Sequence, residues 1–227
     1  MRKKTAFYAE GAYILGILLL ALGTALITKA GFGLSMIVAP AYLLHLFVSE
    51  TLPFFSFGMA EYVFQALIIL LLCLLLRRFR VSYLLSFATA VIYGFTLDGM
   101  AALTSLLPGE GIPARIGFYA AGTILATLGV ALLFHTYLPP EAYELFVREL
   151  ASARGWKLSA CKTVYDLSSL ALAILLSFLF FGRLEAIGIG TLLNAVLNGL
   201  LIGFFGKGLE RLFSFRDGLP LRRFFEK

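Results

Sequence analysis

The chain has 227 residues, of which 60% are apolar and 14% charged, and its mean hydropathy is +0.93. A water-soluble domain carries about a quarter charged residues, and a disordered chain is poor in apolar ones, so both classes are excluded. In so apolar a chain the net charge of +6 reads as the Lys and Arg bias that orients membrane proteins, not as a nucleic-acid footprint. The lipid bilayer is the expected surrounding.

Crossing a bilayer takes about 20 mostly apolar residues as helix. Six stretches meet that length, at about 11–30, 59–76, 81–105, 115–137, 163–182 and 187–206. Two shorter pieces, 35–48 and 140–153, are too short to cross. The second sets Tyr143, Phe146, Val147 and Leu150 at helical spacing and interrupts them with Glu141, Glu144, Arg148 and Glu149, the pattern of an interfacial or partly inserted helix. With six spans, sixteen of the nineteen basic residues fall on one side: Arg2, Lys3 and Lys4; Arg77, Arg78 and Arg80; Arg148, Arg154, Lys157 and Lys162; and six from Lys207 to Lys227. Only Lys29, Arg115 and Arg183 fall on the other. The expected placement is a bacterial inner membrane with both ends cytoplasmic.

The opening MRKK and the apolar run after it look like a signal peptide. An internal duplication argues for keeping them in the fold. Gly16–Ile27 (GILLLALGTALI) matches Gly122–Leu133 (GTILATLGVALL), with Gly16/Gly122, Leu19/Leu125, Leu22/Leu128, Gly23/Gly129, Ala25/Ala131 and Leu26/Leu132 identical at a spacing of 106. Further on, at a spacing of 105, Glu61 meets Asp166, Ala90 meets Ala195 and Gly94 meets Gly199. Each half (11–105 and 115–206, followed by a tail 207–227) holds one span, a short helix and two more spans. Three crossings per copy make the second enter from the opposite side. The expected fold is an all-α integral membrane protein, a single membrane domain of six helices in two inverted three-helix repeats.

The runs AGFGLSMIVAPAYLL at 30–44 and GIGTLLNAVLNGLLIG at 188–203 resemble those of the YczE/YitT-like group of bacterial multi-pass membrane proteins. That group shows a G-x-G-T-x-x-N-x-x-x-x-G-x-x-x-D pattern in its last span, which Gly188, Gly190, Thr191, Asn194 and Gly199 fit. Gly203 stands where the pattern has Asp, whereas the first copy keeps the acid as Gly94 followed by Asp98. The resemblance implies a multi-pass membrane fold and brings little chemistry with it.

Ionisable groups inside spans are costly and mark ion or solute paths. Lys29 and His135 close the first span of their copies, and Glu61 and Asp166 stand about one turn into a later span. Glu61, Asp166 and His135 are expected to couple or gate; the alternative is local pairing or snorkelling at an interface. Gly31, Gly33 and Ser35 precede the first short helix, and Pro139 and Pro140 open the second. These helices either dip into the membrane, N-termini inward, or lie flat as connectors. Asn194 and Asn198 share a face of the last span and take partners from a solute or a neighbouring helix. Ser35, Asn194, Asn198, Lys29, Asp98 and Tyr93 are the expected solute contacts, with Asp98 also able to pair with Arg115 or Arg183. Gly199 and Gly203 form a GxxxG for helix packing, within the chain or across a homodimer. Cys73 and Cys161 read as reduced and structural, and His45 as a packing residue.

Gly203-Phe-Phe-Gly206-Lys207-Gly208 lacks the spacing and Ser/Thr of a Walker A loop, and neither HExxH nor GxSxG occurs. No enzyme activity, metal or cofactor is expected. The sequence points to a small secondary transporter, with or without proton coupling, for a small polar or anionic solute. The alternative is a non-transporting module, either a substrate-binding or accessory subunit or a scaffold of a membrane complex.

Overall fold

The computed structural model describes residues 5–109 and 111–219, without the side chains of Leu158 and Ser159. Arg2, Lys3 and Lys4 and the basic residues after 219 lie outside the described residues. The elements, in chain order, are β1 (Thr5–Tyr8), α1 (Ala9–Ala30), α2 (Ala39–Ser49), α3 (Phe57–Leu76), α4 (Val81–Ser105), α5 (Ile112–Leu133), α6 (Ala142–Arg154), α7 (Leu158–Phe181), α8 (Ile189–Leu212) and β2 (Phe213–Arg216). Six of the helices are long and apolar enough to cross a membrane, in agreement with the spans read from the sequence. The protein is therefore all-helical in its bulk and of multi-pass membrane type.

Local chemistry sets the boundaries. The Ser56 hydroxyl caps α3 by accepting the Met59 amide at 3.0 Å. Gly31, Gly155 and Gly182 end α1, α6 and α7 in the left-handed conformation that a Cβ disfavours. The span expected to run to 137 stops at Leu133, because the chain turns at His135 and heads back inward. At α2 the carbonyl of Ser35, not its hydroxyl, receives the first amides, those of Val38 and Ala39.

The bundle is organised on α1 and α5. Gly16 lies against Gly129, and Gly23 against Gly122, so the two helices run antiparallel with their backbones in contact. A Cβ on Gly129 would stand 2.7 Å from the Gly16 carbonyl oxygen, and one on Gly23 would overlap the backbone of Ala126. In lipid, where hydrophobic burial drives helices together only weakly, such close approach supplies dispersion contact. α4 packs on α1, α8 packs on α5, and α3 lies on α4. A second glycine pair, Gly58 and Gly94, brings the backbones of α3 and α4 together. α7 and α8 share almost no contact. The outer surfaces carry Leu70, Leu74, Leu175, Leu179, Val196 and Phe204, a belt suited to acyl chains.

β1 and β2 pair in parallel, Thr5 opposite Phe213 and Tyr8 opposite Arg216. Sequence reading gave no hint of this pair and treated 207–227 as a tail. Since β1 leads into α1 and β2 follows α8, both ends sit on one face, as an even number of crossings requires. This is the terminal face below. Glu10 fastens the clasp: its Oε1 accepts the Tyr137 hydroxyl at 2.5 Å and the Leu219 amide at 2.8 Å.

The short helices are tied to their neighbours at both ends. Ala142 at the start of α6 donates its amide to Gln65 Oε1 at 3.1 Å. At 1.5 Å per residue, Gln65 is about 12 Å along α3 from its Phe57 end. The other end of α6 reaches the terminal face, where Glu149 meets Arg78 at 3.0 Å and Arg80 at 3.3 Å. α2 mirrors this course. Val38, just before it, packs beside Ala21 and Tyr93, and Phe47 in its last turn stacks on Phe180 at the far end of α7.

The glycine contact is open to test. Gly23→Ala should cost about 1–3 kcal/mol through overpacking and lower the melting temperature in detergent. Gly117→Ala, with nothing within 4 Å of the new Cβ, should leave it unchanged or raise it.

Candidate functional site

The helix starts of α2 and α6 meet at one cavity of about 830 Å³. Its lining runs from Leu34–Val38 to Arg148, Lys162, Ile202 and Gly203 near the terminal face, on the side where α7 and α8 part. The remaining wall comes from α1 and α5, with Leu20, Ile27, Ala126 and Val130 apolar and Thr24 and Thr127 polar. Ser35 to Val38 and Pro140, Glu141 and Tyr143 thus line the same cavity, and Ile37 packs against the apolar cluster that includes Tyr143.

The backbone at the α2 entrance is crowded. Gly33 has φ +101°, and a Cβ there would stand 2.5 Å from the Gly188 amide. Gly190 donates its amide to the Phe32 carbonyl at 2.7 Å, and the Leu34 amide reaches the Ala186 carbonyl at 2.9 Å. The two runs that carry the family resemblance, 30–44 and 188–203, thus meet at the cavity edge. The Tyr119 hydroxyl holds this junction from α5 by donating to the Gly190 carbonyl at 2.6 Å.

Five of the expected site residues line the cavity: Ser35, Tyr93, Asp166, Asn194 and Asn198. Asn194 is 1% exposed. Its Oδ1 accepts from Thr123 at 3.4 Å, while its Nδ2 has no hydrogen-bond partner among the described residues. Tyr93 donates to Thr24 Oγ1 at 3.1 Å. Asp166 lies 3.2 Å from Lys162 Nζ, which stands equally close to Glu144.

The other four lie elsewhere. Glu61 is fully buried one layer behind the wall; its Oε2 accepts the hydroxyl of Tyr143, a lining residue, at 2.7 Å. Asp98 sits in the α3–α4 seam, taking the Ser56 hydroxyl at 2.5 Å and the Gly58 amide at 2.7 Å, and so locks those helices together. Arg115 and Arg183 are engaged apart from it, with the carbonyls of Ala30 and Gly31 and with Glu185. Lys29 reaches the Ser105 carbonyl at 3.4 Å on the far face. His135 stacks on Phe215 in the terminal clasp, its Nε2 3.5 Å from Glu210. Gly199 and Gly203, expected at a helix contact, line the cavity, with nothing within 4 Å of an added Cβ.

Sequence reading missed Glu141, Tyr143, Gln65 and Lys162 as site residues. The available signals were the Pro139-Pro140-Glu141 entry to an amphipathic helix and a Gln one turn after Glu61. Glu141 is half-buried and lines the cavity, and its Oε1 has neither solvent nor a hydrogen-bond partner among the described residues. Among the described residues no group of three or more His, Cys, Asp or Glu is placed to hold a metal ion.

Glu141 lies outside the six spans, and burial pushes its carboxyl up to about 8, with Glu61 and Glu144 adding to the rise and Lys162 opposing it. The folded chain thus keeps a proton that the unfolded chain sheds near 4.5. Stability should fall as pH rises from about 4.5 and level off beyond about 8. Melting temperatures between pH 5 and 9 should show this slope in the native protein and a flatter one in Glu141→Gln; equal slopes would refute the assignment.

The model of a family of unknown function, DUF6198, matches residues 7–207. It has no tie by name to the YczE/YitT-like group, whose likeness rests on the two runs quoted above. Neither a curated protein nor a solved structure matches the chain.

Proposed function

The chain belongs to the DUF6198 family, and we propose that it is a small secondary transporter of a bacterial inner membrane that carries a small polar or anionic solute through the cavity. The observation that carries this reading is a pattern of contacts that largely repeats when the halves are exchanged. α1 on α4 corresponds to α5 on α8, α2 on α7 to α6 on α3, and α2 on α3 to α6 on α7. The Gly16–Gly129 contact corresponds to Gly122–Gly23. This supports inverted repeats with α2 and α6 as re-entrant helices that meet at mid-depth. The larger break is that α3 packs tightly on α4 while their counterparts α7 and α8 stand apart, and a smaller one is that α4 touches α6 whereas α8 makes no comparable contact with α2.

Such a molecule is open on one side and shut on the other. Its alternate state closes α7 on α8 and parts α3 from α4, moving access to the cavity across the membrane. The basic residues Arg77, Arg78, Arg80, Arg148, Lys162, Lys207 and Arg211 gather towards the terminal face, which supports cytoplasmic ends and a cavity open to the cytoplasm. Asp98 is the latch of the shut side. Its counterpart at a spacing of 105 is Gly203, which has no group to latch with, and that side is the open one. Glu61, which accepts the Tyr143 hydroxyl, and Glu141, whose carboxyl Glu61 helps to raise, are the groups that exchange a proton with the site.

Single cysteines in a background lacking Cys73 and Cys161 test this. Ile202→Cys should react with an impermeant maleimide from the terminal side, and Leu97→Cys, buried in the shut half, slowly from the far side. Losing the two bonds to the Asp98 carboxylate is worth about 2 kcal/mol or more, so Asp98→Gly should speed Leu97→Cys labelling about tenfold or more and slow that of Ile202→Cys. If Leu97→Cys stays unreactive from the far side in both backgrounds, alternating access is lost.

A further inference from the structure

The polar groups facing the cavity are mismatched in a way that specifies a ligand. Lys162 is held between Glu144 and Asp166, 3.2 Å from each, so its charge is already spent. Glu141 has no Lys or Arg within ion-pair distance, and its Oε1 is without a hydrogen-bond partner among the described residues. That oxygen is an acceptor waiting for a donor, and an ammonium would supply the donor and favour loss of the carboxyl proton. Asn194, 1% exposed, turns an unused Nδ2 donor pair to the same space. On the α2 side, the amides of Ser35, Met36 and Ile37 precede the first helical bonds and have no backbone acceptor among the described residues. The helix dipole adds positive potential there, so this side asks for an anionic acceptor.

These opposite demands face one cavity, since Ser35, Met36, Ile37, Asn194 and Glu141 all line it. A bare anion would leave the Glu141 acceptor unanswered, and a bare amine would leave the Asn194 and α2 donors unanswered. The rest of the lining is mainly apolar, with Leu20, Ile27, Ala126, Val130, Leu133 and Ile202.

We propose that the cavity binds an apolar α-amino acid as its zwitterion, the ammonium on Glu141, the carboxylate on Asn194 Nδ2 and the α2 amides, and the side chain on the α1–α5–α8 wall. This rests on reading the cavity as a solute site and narrows the solute to one class. Lys162 and Arg148 are left to the cavity mouth, and Asp166 serves to hold Lys162.

Thermal-shift titrations of the full chain in detergent test the class with six probes: L-leucine, isoamylamine and 4-methylpentanoate, and L-phenylalanine, phenethylamine and 3-phenylpropionate. A site built to pair both ends rejects a ligand lacking one, so at least one amino acid should bind about tenfold or more tightly than its amine and its acid. Glu141→Gln should abolish the preference over the acid, and Asn194→Leu the preference over the amine, each leaving the other preference in place. That pattern separates recognition from misfolding. Binding of either analogue as tight as that of its amino acid, or of none of the six, overturns the proposal. Counterflow of the bound amino acid in liposomes then separates the two readings. Binding without counterflow removes transport and keeps the ligand class, whereas no binding with maleimide access still alternating removes the ligand class and keeps transport.

Discussion

The contact of α1 with α5 through Gly16, Gly23, Gly122 and Gly129 is the constraint from which the arrangement follows. Two backbones this close leave no room for side chains between them, so neither helix can slide or roll past the other without clash. Everything else is hung in pairs on that axis: α4 and α8 outside it, α2 and α6 in the angles, α3 and α7 beyond. The pairs are not all equal: α3 lies on α4 whereas α7 is apart from α8, and α4 meets α6 where α8 makes no comparable contact with α2.

The second constraint is that polar groups at membrane depth must be answered within the protein. Most are. Thr28, Thr96 and Thr127 return their hydroxyls to carbonyls one turn back, Gln65 spans Glu61 and the Ala142 amide, and Tyr93 meets Thr24. Among the buried atoms left without a partner in the described residues, Glu61 Oε1 and Ser86 Oγ lie behind the wall, whereas Asn194 Nδ2 and Glu141 Oε1 belong to residues that border the cavity. An unanswered buried donor or acceptor costs about 1–3 kcal/mol, a cost that a protein carries where a ligand supplies the missing partner.

Much of this was legible in the chain. The six spans follow from hydropathy alone, since each crossing must be apolar over its length. The glycines of the first and fourth spans announced themselves by recurring, and Asn194 by being an amide in an apolar helix. α6 was harder. Its charged residues suggest a surface helix, yet Tyr143 and Ala142 are turned to Glu61 and Gln65 on α3, a fact decided by packing and invisible to periodicity. Asp98 shows the opposite case: an acid in a span reads as a solute contact, whereas three-dimensional proximity to Ser56 and Gly58 makes it a fastener. The strand pair was beyond reach, because four residues such as Thr5–Tyr8 have no strand signature until their partner, some two hundred positions later, lies beside them.

That partner's remoteness has a consequence for assembly. The ribosome makes β1 before α1 and β2 only after α8. The parallel pairing, with Phe7 wedged between Phe213 and Phe215 and Glu10 gripping the Gly218 and Leu219 amides, therefore forms only when α8 has brought β2 to the side of the membrane that holds β1. It is a checkpoint written into the chain: a topology with one crossing too many or too few leaves the two strands in different compartments, where no amount of time will join them.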